Sequence, residues 1–169
     1  MPQIVLFQPQ IPPNTGNVAR TCAATGTPLH LVDPLGFTID DRQLKRAGLD
    51  YWPLVALHRH ADWTAFTDHH RATGGRLIAF SSHARHSYLD WRFGPDDWLL
   101  FGRETDGLPP DVVACADVAL TIPMARVARP DRCGVRSLNL SVAVGVVLFE
   151  CLRQQDLLTL PGSESTTAI

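Results

Sequence analysis

Lysine is nearly absent from this sequence: of its 15 Lys and Arg residues, only Lys45 is a lysine. The net charge of −2 excludes a generally basic nucleic-acid binder. Arginine suits planar, bidentate contacts with phosphate, although a GC-rich genome would also favour arginine codons whatever the function. The basic residues cluster in two places, and local basic patches on a near-neutral protein are typical of a focused partner site. The clusters are Arg42, Lys45 and Arg46, and Arg126, Arg129, Arg132 and Arg136.

Long apolar runs, paired cysteines and glycine-rich phosphate motifs are also missing. No apolar stretch approaches the ~18 residues of a membrane span, and we expect no signal peptide in the opening MPQIVLFQPQ. The four cysteines (Cys22, Cys115, Cys133 and Cys151) form no CxxC pair, which favours reduced intracellular thiols over a zinc site. No GxGxxG or GxxxxGK[ST] follows a predicted strand, which argues against a Rossmann dinucleotide site and a P-loop.

The sequence does contain a regular alternation of strands and helices. Because the strands are continuous apolar runs, the pattern predicts an α/β fold, a mostly parallel sheet with helices on both faces. We expect one domain over residues 1–155 and a polar, flexible tail over residues 156–169. The predicted strands are 4–7, 29–32, 54–57, 76–82, 97–102 and 118–122. The predicted helices are one capped by Asn14 or Thr15 and ending near Thr25, then 40–48, 63–73, 108–116 and 137–155.

Ligands in open α/β sheets bind beyond the carboxyl ends of the strands, so we expect the functional residues in the loops there. In FGRETDGLP, residues 101–109, Gly102 is expected to let the backbone approach a ligand closely. Gly107 would permit a tight turn into the next helix, and Glu104 would hold the loop by accepting backbone N–H bonds. An ordinary strand-to-helix turn would explain the same segment.

Two further segments carry a pattern. NTGNVAR spaces Asn14, Asn17 and Arg20 by three, which predicts a shared helix face that is either a phosphate or ribose clamp or a solvated polar surface. The last helix is apolar almost all round, so we expect it to be buried on more than one side, with a second subunit as the further cover. Its predicted small-residue stripe, Ser137, Ser141 and Gly145, would allow close backbone approach to a helix or a ligand. The seven histidines show no ligand spacing with Cys or carboxylate, and we expect no metal.

Three segments taken together resemble the motifs of a known family. IPPNTGNVAR, FGRETDGLP and IPM followed by RSLNLSVAVGVVLFE are similar to the three motifs of the SPOUT (SpoU/TrmH-type) RNA ribose 2′-O-methyltransferases. GFTIDDRQLKRAGLDYW resembles in particular the small single-domain TrmL subfamily, whose members methylate nucleotide 34 of tRNA. The resemblance covers nearly the whole chain, through about Gln155.

The resemblance implies a fold, a donor and partners. The fold would end in a C-terminal deep trefoil knot, which general folding rules would have excluded. The methyl donor would be S-adenosylmethionine, with no metal and no membrane, and the enzyme would be a cytoplasmic homodimer joined through the knot and the last helix. Carried over by position, the donor-binding residues are Ala79, Phe80, Ser81, Gly102, Glu104, Gly107, Ile122, Met124, Ser137 and Leu138. The implied catalytic residues are Arg20, Asn14, Ser137 and Asn139.

Arg20 is the motif-one arginine of this resemblance. In the family the motif-one arginine is usually assigned the activation of the ribose hydroxyl, but a pKa above ~12 makes arginine a poor base. We therefore expect Arg20 to orient a phosphate and to stabilise the developing alkoxide. Asn14, Ser137 and Asn139 are expected to fix the ribose and the donor, so that alignment supplies much of the acceleration.

The loop after IPM is longer than the family pattern. ARVARPDRCGV intervenes before RSLNLS and carries Arg126, Arg129 and Arg132. These arginines would contact the tRNA backbone, or the loop is a tolerated surface insertion. With Arg20, Arg42, Lys45 and Arg46 they form the predicted RNA-binding set.

The predicted function is methylation of the ribose 2′-hydroxyl of the wobble pyrimidine, nucleotide 34, in tRNA and specifically in leucine isoacceptors. One alternative is the same chemistry at another tRNA or rRNA position. A second is a non-catalytic RNA-binding module with a degenerate donor pocket. A third, a generic nucleotide-binding α/β protein, is weakened by the missing phosphate motifs.

Overall fold

The computed structural model describes residues 1–38, 51–124 and 137–158. Within these ranges seven strands form one sheet in the order β3-β2-β1-β6-β4-β7-β5, and all neighbouring strands run parallel. The strands are β1 (Gln3–Phe7), β2 (Leu29–Val32), β3 (Leu57–His60), β4 (Leu77–Phe80), β5 (His86–Ser87), β6 (Trp98–Phe101) and β7 (Val118–Thr121). The α-helices of the described ranges are α1 (Pro12–Thr25), α2 (Trp63–Thr73), α3 (Pro110–Ala114) and α4 (Leu140–Gln154).

Strand β1 shows why both faces of the sheet are covered. Successive side chains of a strand point to opposite faces. Ile4 and Leu6 pack in a core with residues of α1 and α4, whereas Val5 and Phe7 pack in a second core with residues of α2 and α3. The predicted α/β class, a parallel sheet with helices on both faces, is confirmed.

One predicted strand is misplaced and one strand was not predicted, and each difference has a physical reason. The third strand is Leu57–His60, not 54–57, and the 3-10 helix Trp52–Leu54 precedes it. Within the described ranges β3 pairs only with β2, so as an edge strand it carries polar side chains where a central strand would be apolar. The two-residue β5 was not predicted, because two residues carry no periodicity.

The starts of the first and last helices also differ from the prediction. Helix α1 begins at Pro12, with Ile11 as its N-cap and no side-chain cap. Proline at the first helical positions has no N–H that needs a cap, so Asn14 is free for other contacts. Helix α4 begins at Leu140 and is capped by Asn139, so Ser137 precedes the helix and is not part of a helical stripe.

Several predictions fall on residues outside the described ranges. They are the helix at 40–48, the basic residues Arg42, Lys45, Arg46, Arg126, Arg129 and Arg132, and the tail from residue 159 onward. The connection from β7 to α4 includes residues 125–136, so the trefoil knot itself stays a prediction. None of the helices in the described ranges is long and apolar enough to cross a lipid bilayer.

Candidate functional site

The sheet register brings four loops to one place. Leu6 of β1 lies beside Phe101 of β6, Phe101 lies beside Phe80 of β4, and Phe80 lies beside Leu120 of β7. The chain segments that follow these strands therefore emerge side by side at the carboxyl edge of the sheet. Together with the segment before α4 they enclose a cavity of about 620 Å³, within the usual size range of small-molecule sites.

The loop from β6 to α3 folds back on itself to form one wall of this cavity. Arg103 and Gly107 exchange two backbone hydrogen bonds, of 3.1 and 2.9 Å, and Gly107 has a φ of 72°, which favours glycine. The Arg103 guanidinium also donates to both carboxylate oxygens of Asp106, at 2.7 and 2.6 Å. The hydrogen bonds from Arg103 lower the pKa of Asp106 below its ordinary value.

The loop itself requires a glycine at position 102. A Cβ placed on Gly102 would overlap the backbone of Gly107 and Leu108. The close backbone approach predicted at Gly102 thus occurs, but the approaching backbone belongs to the loop itself. The same glycine also lines the cavity.

Glu104 ties this loop to the connection between β1 and α1. Its carboxylate accepts hydrogen bonds from the backbone N–H groups of Gln10, at 2.8 Å, and Ile11, at 3.2 Å, and from Asn14 Nδ2, at 3.0 Å. Glu104 was predicted to accept backbone N–H bonds, and it does so from a segment more than 90 residues away in the sequence.

The third motif joins the same network through Asn139. Asn139 Nδ2 donates to Asn14 Oδ1 at 2.9 Å, and Asn139 Oδ1 accepts from the backbone N–H and the hydroxyl of Ser141, at 2.9 and 2.8 Å. The side chains of Glu104, Asn14 and Asn139 therefore form one polar chain along the cavity wall. Asn14 is 5 % exposed, so it is fixed within the protein rather than solvated.

The structure brings most of the predicted site residues to this cavity, but two lie elsewhere. Ala79 is fully buried within β4 and belongs to the core on the face of α2 and α3. Arg20 is exposed on α1 and does not line the cavity, so the shared face predicted for Asn14, Asn17 and Arg20 is divided between a buried and an exposed side. The predicted residues that line the cavity are Asn14, Phe80, Ser81, Gly102, Glu104, Gly107, Ile122, Met124, Ser137, Leu138 and Asn139.

Sequence reasoning missed other lining residues. They include Ile11, Ser82, His83, Thr105, Thr121 and Ala143. Each lies within three residues of a predicted site residue or motif, so extending every motif by one turn or loop would have found them. Ile122 and Met124 give the cavity apolar walls that suit a flat aromatic ring.

A histidine cluster lies apart from the cavity, between β2, β3 and α2. His30 Nε2 donates to Gln3 Oε1 at 2.7 Å, so its Nδ1 accepts from His60 Nε2 at 2.9 Å. Burial, with the neighbouring His58, His60 and His69, lowers the pKa of His30 to about 3 and keeps the ring neutral. Among the described residues, no group of three or more His, Cys, Asp or Glu side chains is arranged to hold a metal ion.

Residues 1–149 match the model of the SpoU rRNA Methylase family. The chain belongs to this family. The resemblance inferred from the three motifs is thereby confirmed, and those motifs are the segments that the polar chain joins.

Similar proteins cover nearly the full length. The tRNA (cytidine(34)-2′-O)-methyltransferase of Polaromonas sp. is 52% identical over 152 residues, which are 89% of each chain. The protein of the same name from Burkholderia pseudomallei is 48% identical over 89% of this chain and 94% of its own.

Solved structures agree with the fold. A structure described as giving insights into 2′-OH methylation of C/U34 on tRNA has a TM-score of 0.82 and 50% identity, covering 92% of this chain and 97% of that one. An AdoMet-bound rRNA methyltransferase from Sinorhizobium meliloti has a TM-score of 0.76 and 27% identity, covering 94% of this chain and 57% of its own.

Proposed function

We propose that this protein methylates the ribose 2′-hydroxyl of the wobble pyrimidine, nucleotide 34, of tRNA, with S-adenosylmethionine as donor. The observation that carries the proposal is the polar chain of Glu104, Asn14 and Asn139, which joins the three family motifs at one cavity. Relatives about half identical over almost their whole length carry the name of this activity, which supports the same reaction and position here. Leucine isoacceptors are the proposed substrates.

The donor fits the cavity by size and chemistry. When bound, S-adenosylmethionine supplies an electrophilic methyl group on a sulfonium. Ile122, Met124 and Leu138 would hold the adenine against apolar surface, and the loop from Gly102 to Gly107 would surround the rest of the molecule with backbone groups. The AdoMet-bound relative supports this choice of donor.

The chain's own residues must place the ribose hydroxyl in line with that methyl group. Asn14 and Asn139 are held in fixed orientation by their mutual bond and by Glu104 and Ser141, so their position costs no reorganisation during the reaction. Ser137 lies beside them on the cavity wall. Arg20 is exposed on α1 and does not line the cavity, so it would bind a phosphate of the incoming tRNA. The ribose hydroxyl would pass its proton to a phosphate oxygen of the tRNA as its oxygen takes the methyl group, the carbon–sulfur bond breaks and S-adenosylhomocysteine leaves.

The remaining parts of the proposal concern partners and location. A homodimer in the cytoplasm is proposed, joined through the knot and α4, whose outer face exposes Val142 at 50% and Phe149 at 48%. The basic residues Arg42, Lys45, Arg46, Arg126, Arg129 and Arg132 would contact the tRNA backbone. If so, replacing the last three by Ala lowers the salt dependence of tRNA binding.

The test is methylation of defined RNA. Purified protein is incubated with labelled donor and a leucine tRNA anticodon stem-loop, and the modified nucleotide is mapped by mass spectrometry. We expect one methyl group, at nucleotide 34, and none on a matched RNA that already has a 2′-deoxyribose there. Methylation at another nucleotide would favour the alternative position, and absence of donor binding by calorimetry would favour a non-catalytic RNA-binding module.

A further inference from the structure

Arg20 has an unusual environment for an arginine that is to bind substrate. Its side chain is exposed and has no hydrogen bond or ion pair within the described part of the chain. Its one described contact is with an aromatic ring: Cζ lies 5.8 Å from the centroid of the Tyr51 ring. This distance is within the ~6 Å range of a cation–π interaction.

Tyr51 is itself fixed to the turn of α1 that carries Arg20. The Tyr51 hydroxyl donates to the backbone carbonyl of Gly16 at 3.0 Å. In an α-helix that carbonyl is also the acceptor for the backbone N–H four residues later, which is Arg20. The ring of Tyr51 is half-buried and packs against the core on the face of α1 and α4, so it forms a firm surface beneath the guanidinium.

The kind of contact matters for function. A guanidinium has five N–H donors, and a carboxylate partner would occupy two of them and neutralise the charge. The face of a phenol ring restrains the guanidinium without occupying any donor or cancelling its charge. Arg20 is thus restrained and still fully available to a phosphate.

We propose that Tyr51 is a positioning residue for methyl transfer, which holds the Arg20 guanidinium in the orientation that meets the tRNA. This inference rests on the proposed function, because it assigns Tyr51 a role in the step that Arg20 serves. Removal of the Tyr51 ring should therefore lower turnover. The affinity for the donor should stay unchanged, because Tyr51 does not line the cavity.

The experiment compares Tyr51→Leu, which removes the ring, with Tyr51→Phe, which keeps it and removes only the hydroxyl. Tyr51→Leu should lower kcat about fivefold, the upper end expected for loss of a cation–π contact at an exposed site. Tyr51→Phe should stay within about threefold of the wild type, since the ring remains. The KM for S-adenosylmethionine should change in neither variant. Tyr51→Met carries the same expectation as Tyr51→Leu and replaces it if the Leu variant is not folded by circular dichroism.

A double-mutant cycle separates positioning from simple destabilisation. In an Arg20→Gln background, which has no cation to interact with the ring, Tyr51→Leu should lower kcat by less than about twofold. Val55→Ala is the matched control, because Val55 packs against the same core nearby. It should lower the melting temperature and leave kcat unchanged.

The outcomes that would overturn the inference differ from those that overturn the proposed function. Full kcat in Tyr51→Leu, an equal loss in Tyr51→Phe, or an equal loss in the Arg20→Gln background would each refute a positioning role while the enzyme remains a methyltransferase. Absence of turnover by the wild-type protein on any tRNA would refute the proposed function, and the inference with it.

Discussion

At the scale of single residues, Glu104 is the side chain on which separate segments of the site converge. Its two carboxylate oxygens accept three hydrogen bonds, from Gln10, Ile11 and Asn14. Glu104→Gln turns one oxygen into an NH₂ group that must face one of these donors, so at least one bond is lost and a polar group is left unpaired. We expect a loss of ~1–3 kcal/mol in unfolding free energy. We also expect kcat to fall about tenfold to hundredfold, because Asn14 loses its fixed position.

Thermal unfolding and the methylation assay measure the two effects of Glu104→Gln. Asp111→Asn is the control, since this exposed carboxylate lies in the first turn of α3, outside the cavity. Equal behaviour of Glu104→Gln and the control would show that the polar chain contributes nothing to the site.

The buried histidine His30 gives the protein a pH-dependent stability. Its pKa is about 3 in the folded chain, against an ordinary value of 6.5. Below about pH 6.5 the imidazole of His30 is protonated in the unfolded chain but stays neutral in the folded chain. The free energy of unfolding is therefore highest above pH 6.5 and falls as the pH is lowered towards 3. At about pH 5 the loss reaches roughly 2 kcal/mol. Burial lowers the pKa of His60 and His70 as well, which acts in the same direction.

The measurement is the melting temperature at about pH 7.5 and about pH 5. We expect the wild type to melt at a lower temperature in acid, and His30→Gln to show a smaller difference between the two values. His86→Gln, at an exposed position of β5, should keep the wild-type difference. An unchanged difference in His30→Gln would mean that other groups govern the acid response.

At the scale of elements, the loop from β6 to α3 can close on itself only because Gly102 has no side chain. The Cβ of Gly102→Ala would overlap the backbone of Gly107 and Leu108, and backbone cannot move aside as a flexible side chain can. The loop must therefore open, which displaces Glu104 and widens the cavity. We expect donor affinity, measured by calorimetry, to fall about tenfold or more. Wild-type affinity in a folded Gly102→Ala protein would show that the loop adapts without cost.

The interior elements could be predicted from the sequence, and the edge elements could not. Strands β1, β2, β4 and β6 are runs of buried residues, so their apolar pattern gives their positions directly. Strand β3 has the polar sequence LHRH, because one side of an edge strand has no neighbour to pack against. The start of α1 was misplaced because Asn14 has the residue type of a cap, while its side chain serves the site instead.

The site could be predicted as a set of motifs but not as a geometry. Sequence order gives no indication that the loop after β1 lies beside the loop after β6, since that depends on the strand order β1-β6-β4-β7. The hydrogen bonds from Gln10 and Asn14 to Glu104 join these two loops, and a local sequence pattern cannot predict them. The position of Arg20 away from the cavity follows from its place on α1, six residues after Asn14, which turns it to another side of the helix.

At the scale of the whole molecule, α4 has apolar surface that the described part of the chain leaves exposed. Its inner side is buried through Val144, Val147 and Leu148, whereas Val142 and Phe149, one heptad apart on the outer side, are about half exposed. Two large apolar residues on one face of a helix are typical of a subunit interface. This geometry supports the proposed homodimer.

The proposed dimer makes a prediction about a single charge. Phe149→Glu places a carboxylate in the centre of the outer face of α4, where a second copy would have to desolvate it. We expect the wild type to have the mass of a dimer in light scattering after size-exclusion chromatography, and Phe149→Glu to have the mass of a monomer with unchanged circular dichroism. Leu89→Glu is the matched control, because Leu89 is 59% exposed outside α4 and should leave the dimer intact. A dimeric Phe149→Glu protein would exclude the outer face of α4 as the interface, and a monomeric wild type would exclude the dimer.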